Sequence, residues 1–149
     1  MILTPHLLLG AVIGSLVENI PLAIILAFLS HYFLDFIPHI EYSIKNIITK
    51  NWRGSFFDFL KIFSDFLLGI ILIYFFSNNH PIIYVCAFIA IIPDGLSVFS
   101  MFFNLKILHI HNNFHQIKIH FLKNKRVSSI WRLAMQALIV VVCILLLGT

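Results

Sequence analysis

Apolar residues run nearly unbroken through five stretches of the chain, and polar residues gather in the short segments between them. Each stretch is apolar on all sides rather than along one stripe, the pattern of helices in lipid or in a fully apolar core. Thr4-Pro5 opens the first with a cap residue and a proline at the first helical position, and Pro21 and Pro81 open the second and fourth in the same way. The pattern predicts helices over about 5–18, 21–37, 55–76, 81–104 and 128–147, the fourth broken near Pro93-Asp94-Gly95. A turn of about three residues separates the first two, which makes them an antiparallel hairpin. Gly10 and Gly14 have the GxxxG spacing, either a helix-packing face or a chance match. Between the last two long helices, Ile107, Ile110, Phe114, Ile117 and Phe121 recur every three or four residues. That stripe predicts an amphipathic helix over 106–126 lying on a membrane surface, with Lys118, Lys123, Lys125 and Arg126 toward anionic headgroups. No internal repeat divides residues 1–149, so one all-α domain is expected.

Composition turns this helical reading into a membrane one. Of 149 residues, 60% are hydrophobic and 11% charged, and the mean hydropathy is +1.00, far above that of a soluble domain. The expected architecture is an integral membrane bundle of about five helices, four to five of them spanning, plus the interfacial helix. Cys86 and Cys143 both lie in apolar runs, as buried thiols do, and support neither a disulfide framework nor a cysteine metal site. The net charge of +4 points to membrane lipid as the partner and not to nucleic acid, because the basic residues flank the apolar runs. Segments 45–53 and 106–126 hold eight of the ten lysines and arginines. Those loops are therefore expected in the cytoplasm, with the N-terminus inside and the C-terminus outside. No basic start precedes the first run and no small-residue cleavage site follows it, so it is expected to remain as a helix. Nothing in the pattern fixes an oligomeric state.

The chemistry concentrates in Ser30-His31-Tyr32-Phe33-Leu34-Asp35-Phe36-Ile37-Pro38-His39. On a helix His31 and Asp35 lie roughly 40° apart on one face. Pro38 ends that helix, which leaves His39 at the start of the exit loop. Counting rise from Pro21 puts His31 about 15 Å and Asp35 about 21 Å below the outer end. His6, Asp65, Asp94, His111 and His115 come to the same inner depth from other segments, whereas His80 falls outside. A carboxylate in hydrocarbon costs roughly 2.5 kcal/mol or more, so Asp35, Asp65 and Asp94 need partners. Lys61, with Asp58 and Asp65 on its helix face, is one source of compensation. A divalent cation shared among helices is the other, and imidazole with carboxylate suits zinc, manganese or iron. The expected ligands are His6, His31, Asp35, His39, Asp65, Asp94, His111 and His115, with Asp65 or Asp94 also taking a proton in catalysis. Each has a structural alternative. His31 and Asp35 can be a buried hydrogen-bonded pair, Asp94 can make a turn, and His6 and His39 can be interfacial. His109 and His120 are assigned to the wet face.

Thr4-Pro5-His6-Leu7-Leu8-Leu9-Gly10, the Ser30–His39 stretch and Ile92-Pro93-Asp94-Gly95 together resemble the small bacterial membrane proteins known as membrane-bound metal-dependent hydrolases. That family is distantly similar to zinc-dependent phospholipase C and P1-type nucleases. Their corresponding element reads His, three residues, Asp, then proline and a further His; His31, Asp35, Pro38 and His39 match it with a shorter final gap. The resemblance implies a multi-pass protein of the bacterial inner membrane whose zinc-type centre hydrolyses a phosphoester, of a lipid or lipid-linked substrate. The alternatives are a metal-ion or proton carrier and a non-catalytic membrane scaffold.

Overall fold

The computed structural model describes residues 2–49, 51–115 and 127–149, and all regular structure among them is helical. In chain order the helices are α1 (Leu3–Leu16), α2 (Ile20–Phe36), α3 (Lys45–Ile48), α4 (Trp52–Phe76), α5 (Pro81–Phe102), α6 (Lys106–Asn113) and α7 (Ser129–Leu147). The turn between α1 and α2 is as short as the sequence requires, and the Asn19 side chain caps α2 by accepting from Leu22 N at 3.0 Å. By length and composition, α4, α5 and α7 can cross a membrane. With 14 and 17 residues, α1 and α2 are shorter than the about 20 residues that a bilayer core requires. Large side chains cover the outside of the bundle, among them Trp52 at 76%, Phe75 at 74% and Ile130 at 81% exposure. Water would penalise such a surface and lipid does not.

The short first helix is the axis of the molecule. It packs against α2, α4, α5 and α7, and His6, Leu7, Leu8 and Ala11 are fully buried. Its closest neighbour is α5, and the glycines make that approach possible. A Cβ on Gly10 would lie 2.6 Å from the Cys86 carbonyl oxygen and 2.7 Å from Ala90 Cβ, and one on Gly14 would lie 2.9 Å from the Ile82 carbonyl oxygen. The GxxxG spacing is thus a packing face. Cys86 and Cys143 are both buried and unbridged.

Two stretches differ from expectation. The fourth long helix continues through Pro93 to Phe102, where a break near 93–95 was expected. Proline deprives the Ile89 carbonyl of its helical donor but need not end a helix whose neighbours satisfy the loosened turn. The polar loop after His39 contains α3, fastened to α4 by Asp58. That carboxylate accepts from Asn46 N at 3.0 Å and from Lys61 Nζ at 3.3 Å. Of the expected surface helix, α6 covers Lys106–Asn113, with Ile107 and Ile110 well exposed. Ile117, Lys118, His120, Phe121, Lys123, Lys125 and Arg126 lie outside the described residues.

Candidate metal centre

Three segments bring four ligand atoms to one point. α2 supplies His31 and Asp35 one turn apart, α5 supplies Asp94, and the residues after α6 supply His115; one ligand atom from each lies within 4.8 Å of all the others. His31 Nε2 is 3.0 Å from His115 Nε2, His115 Nε2 is 2.9 Å from Asp35 Oδ2, and His31 Nε2 is 3.1 Å from the same oxygen. Asp94 Oδ1 stands 3.7 Å from His31 Nε2. His31, Asp35 and His115 have no appreciable exposure, while the Asp94 side chain is 27% exposed.

Protons alone serve this triangle poorly. His31 Nδ1 is 2.8 Å from the carbonyl oxygen of Ala90. A carbonyl only accepts, so Nδ1 carries the hydrogen and Nε2 of the neutral ring is a bare lone pair. That lone pair faces a second imidazole nitrogen and a carboxylate oxygen, and one proton can bridge only one edge of the triangle at a time. A cation at its centre would serve all three atoms. With zinc bonds of 2.0–2.1 Å, the edge of a tetrahedron is about 3.3 Å, close to the separations found. The Ala90 carbonyl, in the turn that Pro93 loosens, fixes the His31 ring from its outer side, as such partners do for metal-binding histidines. Ser97 Oγ does the same for His115, lying 3.2 Å from its Nδ1.

The other oxygen of Asp35 faces a second group. His6 is fully buried, stacks on the His31 ring at 4.2 Å, and brings Nε2 to 3.3 Å from Asp35 Oδ1. Neither His6 nitrogen forms a hydrogen bond of good geometry among the described residues. A bare polar nitrogen in an apolar interior is costly unless something unseen satisfies it. His39 approaches the same Oδ1 at 3.8 Å. Its Nδ1–H donates to Ile37 O at 2.7 Å, and Nε2 lies 3.1 Å from Glu41 Oε1. Gln136 of α7 holds this loop, donating to Ile40 O at 2.9 Å and accepting from Ile40 N at 3.2 Å.

Two expected ligands are not brought to the cluster. The Asp65 carboxylate accepts from Leu3 N and, at 2.6 Å, from Thr4 Oγ1. It thereby satisfies donors in the first turn of α1 with a charge of the sign that a helix N-terminus favours. His111 stacks on His115 at 5.7 Å, and its Nε2 pairs with the Tyr32 hydroxyl at 3.0 Å. Burial, and then the neighbouring His115 and His31, hold His111 below the usual histidine range. His80 immediately precedes α5 at its end away from the cluster, without a side-chain cap, and His109 pairs with Asn104 on the exposed side.

The sequence reading missed Glu41, Tyr42, Ser97 and Gln136. Glu41 follows His39 by two residues and Ser97 follows Asp94 by three on one helix face, so spacing alone held a signal for both. Tyr42 hydrogen-bonds Asp65, and burial followed by the charges of Asp65 and Asp94 pushes its phenol well above the usual tyrosine range, which keeps it a donor. No protein-family model, curated protein or solved structure matches the chain.

Proposed function

We propose that this is a multi-pass membrane protein holding a divalent-metal centre and hydrolysing a phosphoester. The observation that carries the reading is the triangle of His31 Nε2, His115 Nε2 and Asp35 Oδ2, with the His31 proton committed to Ala90 on the far side of the ring. His31, His115, Asp35 and Asp94 would hold one ion. His6, His39 and Glu41, gathered on the Oδ1 side of Asp35, would hold a second with Asp35 as the bridge. Nitrogen and oxygen donors in this mixture favour zinc, with manganese or iron as alternatives.

Such an ion, when bound, acidifies water and offsets the charge on phosphate oxygens. Asp94 is the one partly exposed carboxylate of the cluster and lines a cleft, which suits it to accept a proton from an attacking water. Tyr42 lines the same cleft with its hydroxyl hydrogen committed to Asp65, so it shapes the cleft wall rather than binding substrate. The resemblance of the Ser30–His39 stretch to the zinc-dependent phospholipase C group belongs to this reading. So does a bacterial inner-membrane location with the N-terminus and the metal centre at the cytoplasmic side, supported by the basic loops. A carrier would need its polar path to continue. Toward the other end, Glu18 and His80 lie in the α1–α2 and α4–α5 turns, with the apolar core between them and the cluster.

Elemental analysis of the purified protein tests the centre. About one equivalent or more of a transition metal is expected in the native chain, with a clear loss in Asp35→Asn, which keeps the side-chain shape and removes the charge. A metal-free native chain would remove the centre from consideration. Metal-dependent cleavage of a phosphodiester panel, against ion uptake by sealed vesicles, then separates enzyme from carrier.

A further inference from the structure

Beside the cluster, a cleft of about 330 Å³ opens between α4 and α5. Near mid-membrane these helices touch through Phe66 and Phe88, whose ring centroids are 5.7 Å apart. Toward the cluster end, Phe59 and Ile62 of α4 and Ile91 and Val98 of α5 line the cleft, which Leu3 of α1 and the loop residues Glu41, Tyr42 and Ile44 complete. From Ile91 to Met101 the α5 wall is about 15 Å long. Apart from Tyr42, which bonds Asp65, the polar side chains lining this apolar cleft are joined to the proposed centre. Asp94 stands against His31, Ser97 against His115, and Glu41 against His39.

These two helices can cross a membrane, and Phe59 and Phe99 of the lining are half exposed on the outside of the bundle, so in a bilayer the cleft borders lipid. The apolar material available there is the acyl chain of a lipid. We infer that the cleft between α4 and α5 admits one acyl chain of a bilayer phospholipid and thereby brings its phosphate to Asp94. The phosphate half of this statement rests on the metal-centre reading, because Asp94 and Glu41 repel an anion unless cations are held between them. The acyl-chain half rests on shape and apolar lining alone. Lateral entry also accounts for a polar centre facing an apolar vestibule rather than an aqueous one.

The test uses the full chain in nanodiscs of phosphatidylethanolamine and phosphatidylglycerol, with a small fraction of phosphatidylglycerol carrying a diazirine in its acyl chain. After illumination, adducts are mapped by mass spectrometry. They are expected to be several-fold denser on Phe59, Ile62 and Val98 than on Leu68 and Phe75, which face outward from the same bundle. Filling the cleft with Ile62→Trp or Val98→Trp should deplete the cleft adducts at unchanged metal content, whereas Leu68→Trp should not. Adducts spread evenly over the outward residues, or cleft adducts indifferent to both tryptophans, would overturn the proposal. The readout needs no turnover, so the cleft and the hydrolase reading can fail separately. Focused adducts on a metal-free, inactive chain would leave a lipid site without its chemistry. Dispersed adducts on a metal-loaded, active chain would leave the chemistry without this entrance.

Discussion

His6 is the residue at which a bland explanation and a chemical one separate most sharply. A buried histidine kept for packing gives its nitrogens to nearby carbonyls or hydroxyls, as His31 gives Nδ1 to Ala90. His6 makes no such bond and points Nε2 at Asp35. His6→Leu preserves much of the volume and removes an Nδ1 with no hydrogen bond among the described residues, along with an Nε2 that meets only the Asp35 carboxylate, so its effect should change sign with the metal. In chelator-stripped protein, thermal unfolding is expected to show stabilisation by about 1–3 kcal/mol, the cost of leaving a buried polar group unsatisfied. In metal-loaded protein the same substitution should lower metal content and the unfolding midpoint. Destabilisation in both states would mean that His6 is a packing residue. Its neighbours His31 and Asp35 were legible in the sequence because one helix carries both at i and i+4. The proton on His31 was not, since Ala90 reaches it from another helix.

At the scale of the element, Asp65 links α4 to the first turn of α1. The sequence could place Asp65 at the right depth, but depth alone does not tell which way a side chain points around α4. Asp65→Asn separates the two uses of the carboxylate. As a helix cap it should cost about 1 kcal/mol in an unfolding midpoint and leave metal content intact; a parallel loss of metal would return Asp65 to the ligand set. The long helices were readable because prolines open them and apolar runs sustain them. The four-residue α3 was not, because its stability comes from the Asp58 carboxylate on α4 rather than from its own sequence. Pro93 read as a break because propensity forbids proline inside a helix. Packing against α1, which Gly10 and Gly14 bring close to the turns before Pro93, and against α2 supports the helix that continues past it.

Across the whole molecule, the long helices surround a short one, and the cluster sits toward the end of the bundle where α2 finishes. The basic loop at 45–53 precedes α4 at that end, and the uncharged turn at 77–80 follows α4 at the other. Asn51 and Asn78 should therefore lie on opposite sides of the bilayer. With a membrane-impermeant maleimide, Asn78→Cys should label in intact cells and Asn51→Cys only after permeabilisation, the buried Cys86 and Cys143 staying silent. The reverse pattern would move the cluster to the outer side and remove the cytoplasmic assignment.

The all-round burial of α1 has a consequence in time. This helix leaves the ribosome before α4, α5 and α7, which supply most of the surfaces that enclose it. Until then a 14-residue segment carrying a histidine has no partners beyond α2. Its capping carboxylate arrives with Asp65 and its close-packed neighbour with Ala90, and the ring of His115 comes only after α5 is complete. A helix synthesised ahead of its partners is therefore locked in place late, and the His31–Asp35–Asp94–His115 cluster closes only when most of the residues before His115 have been made. The proposed ion, on this order of events, would be acquired in a finishing step of biogenesis rather than as a nucleus for it.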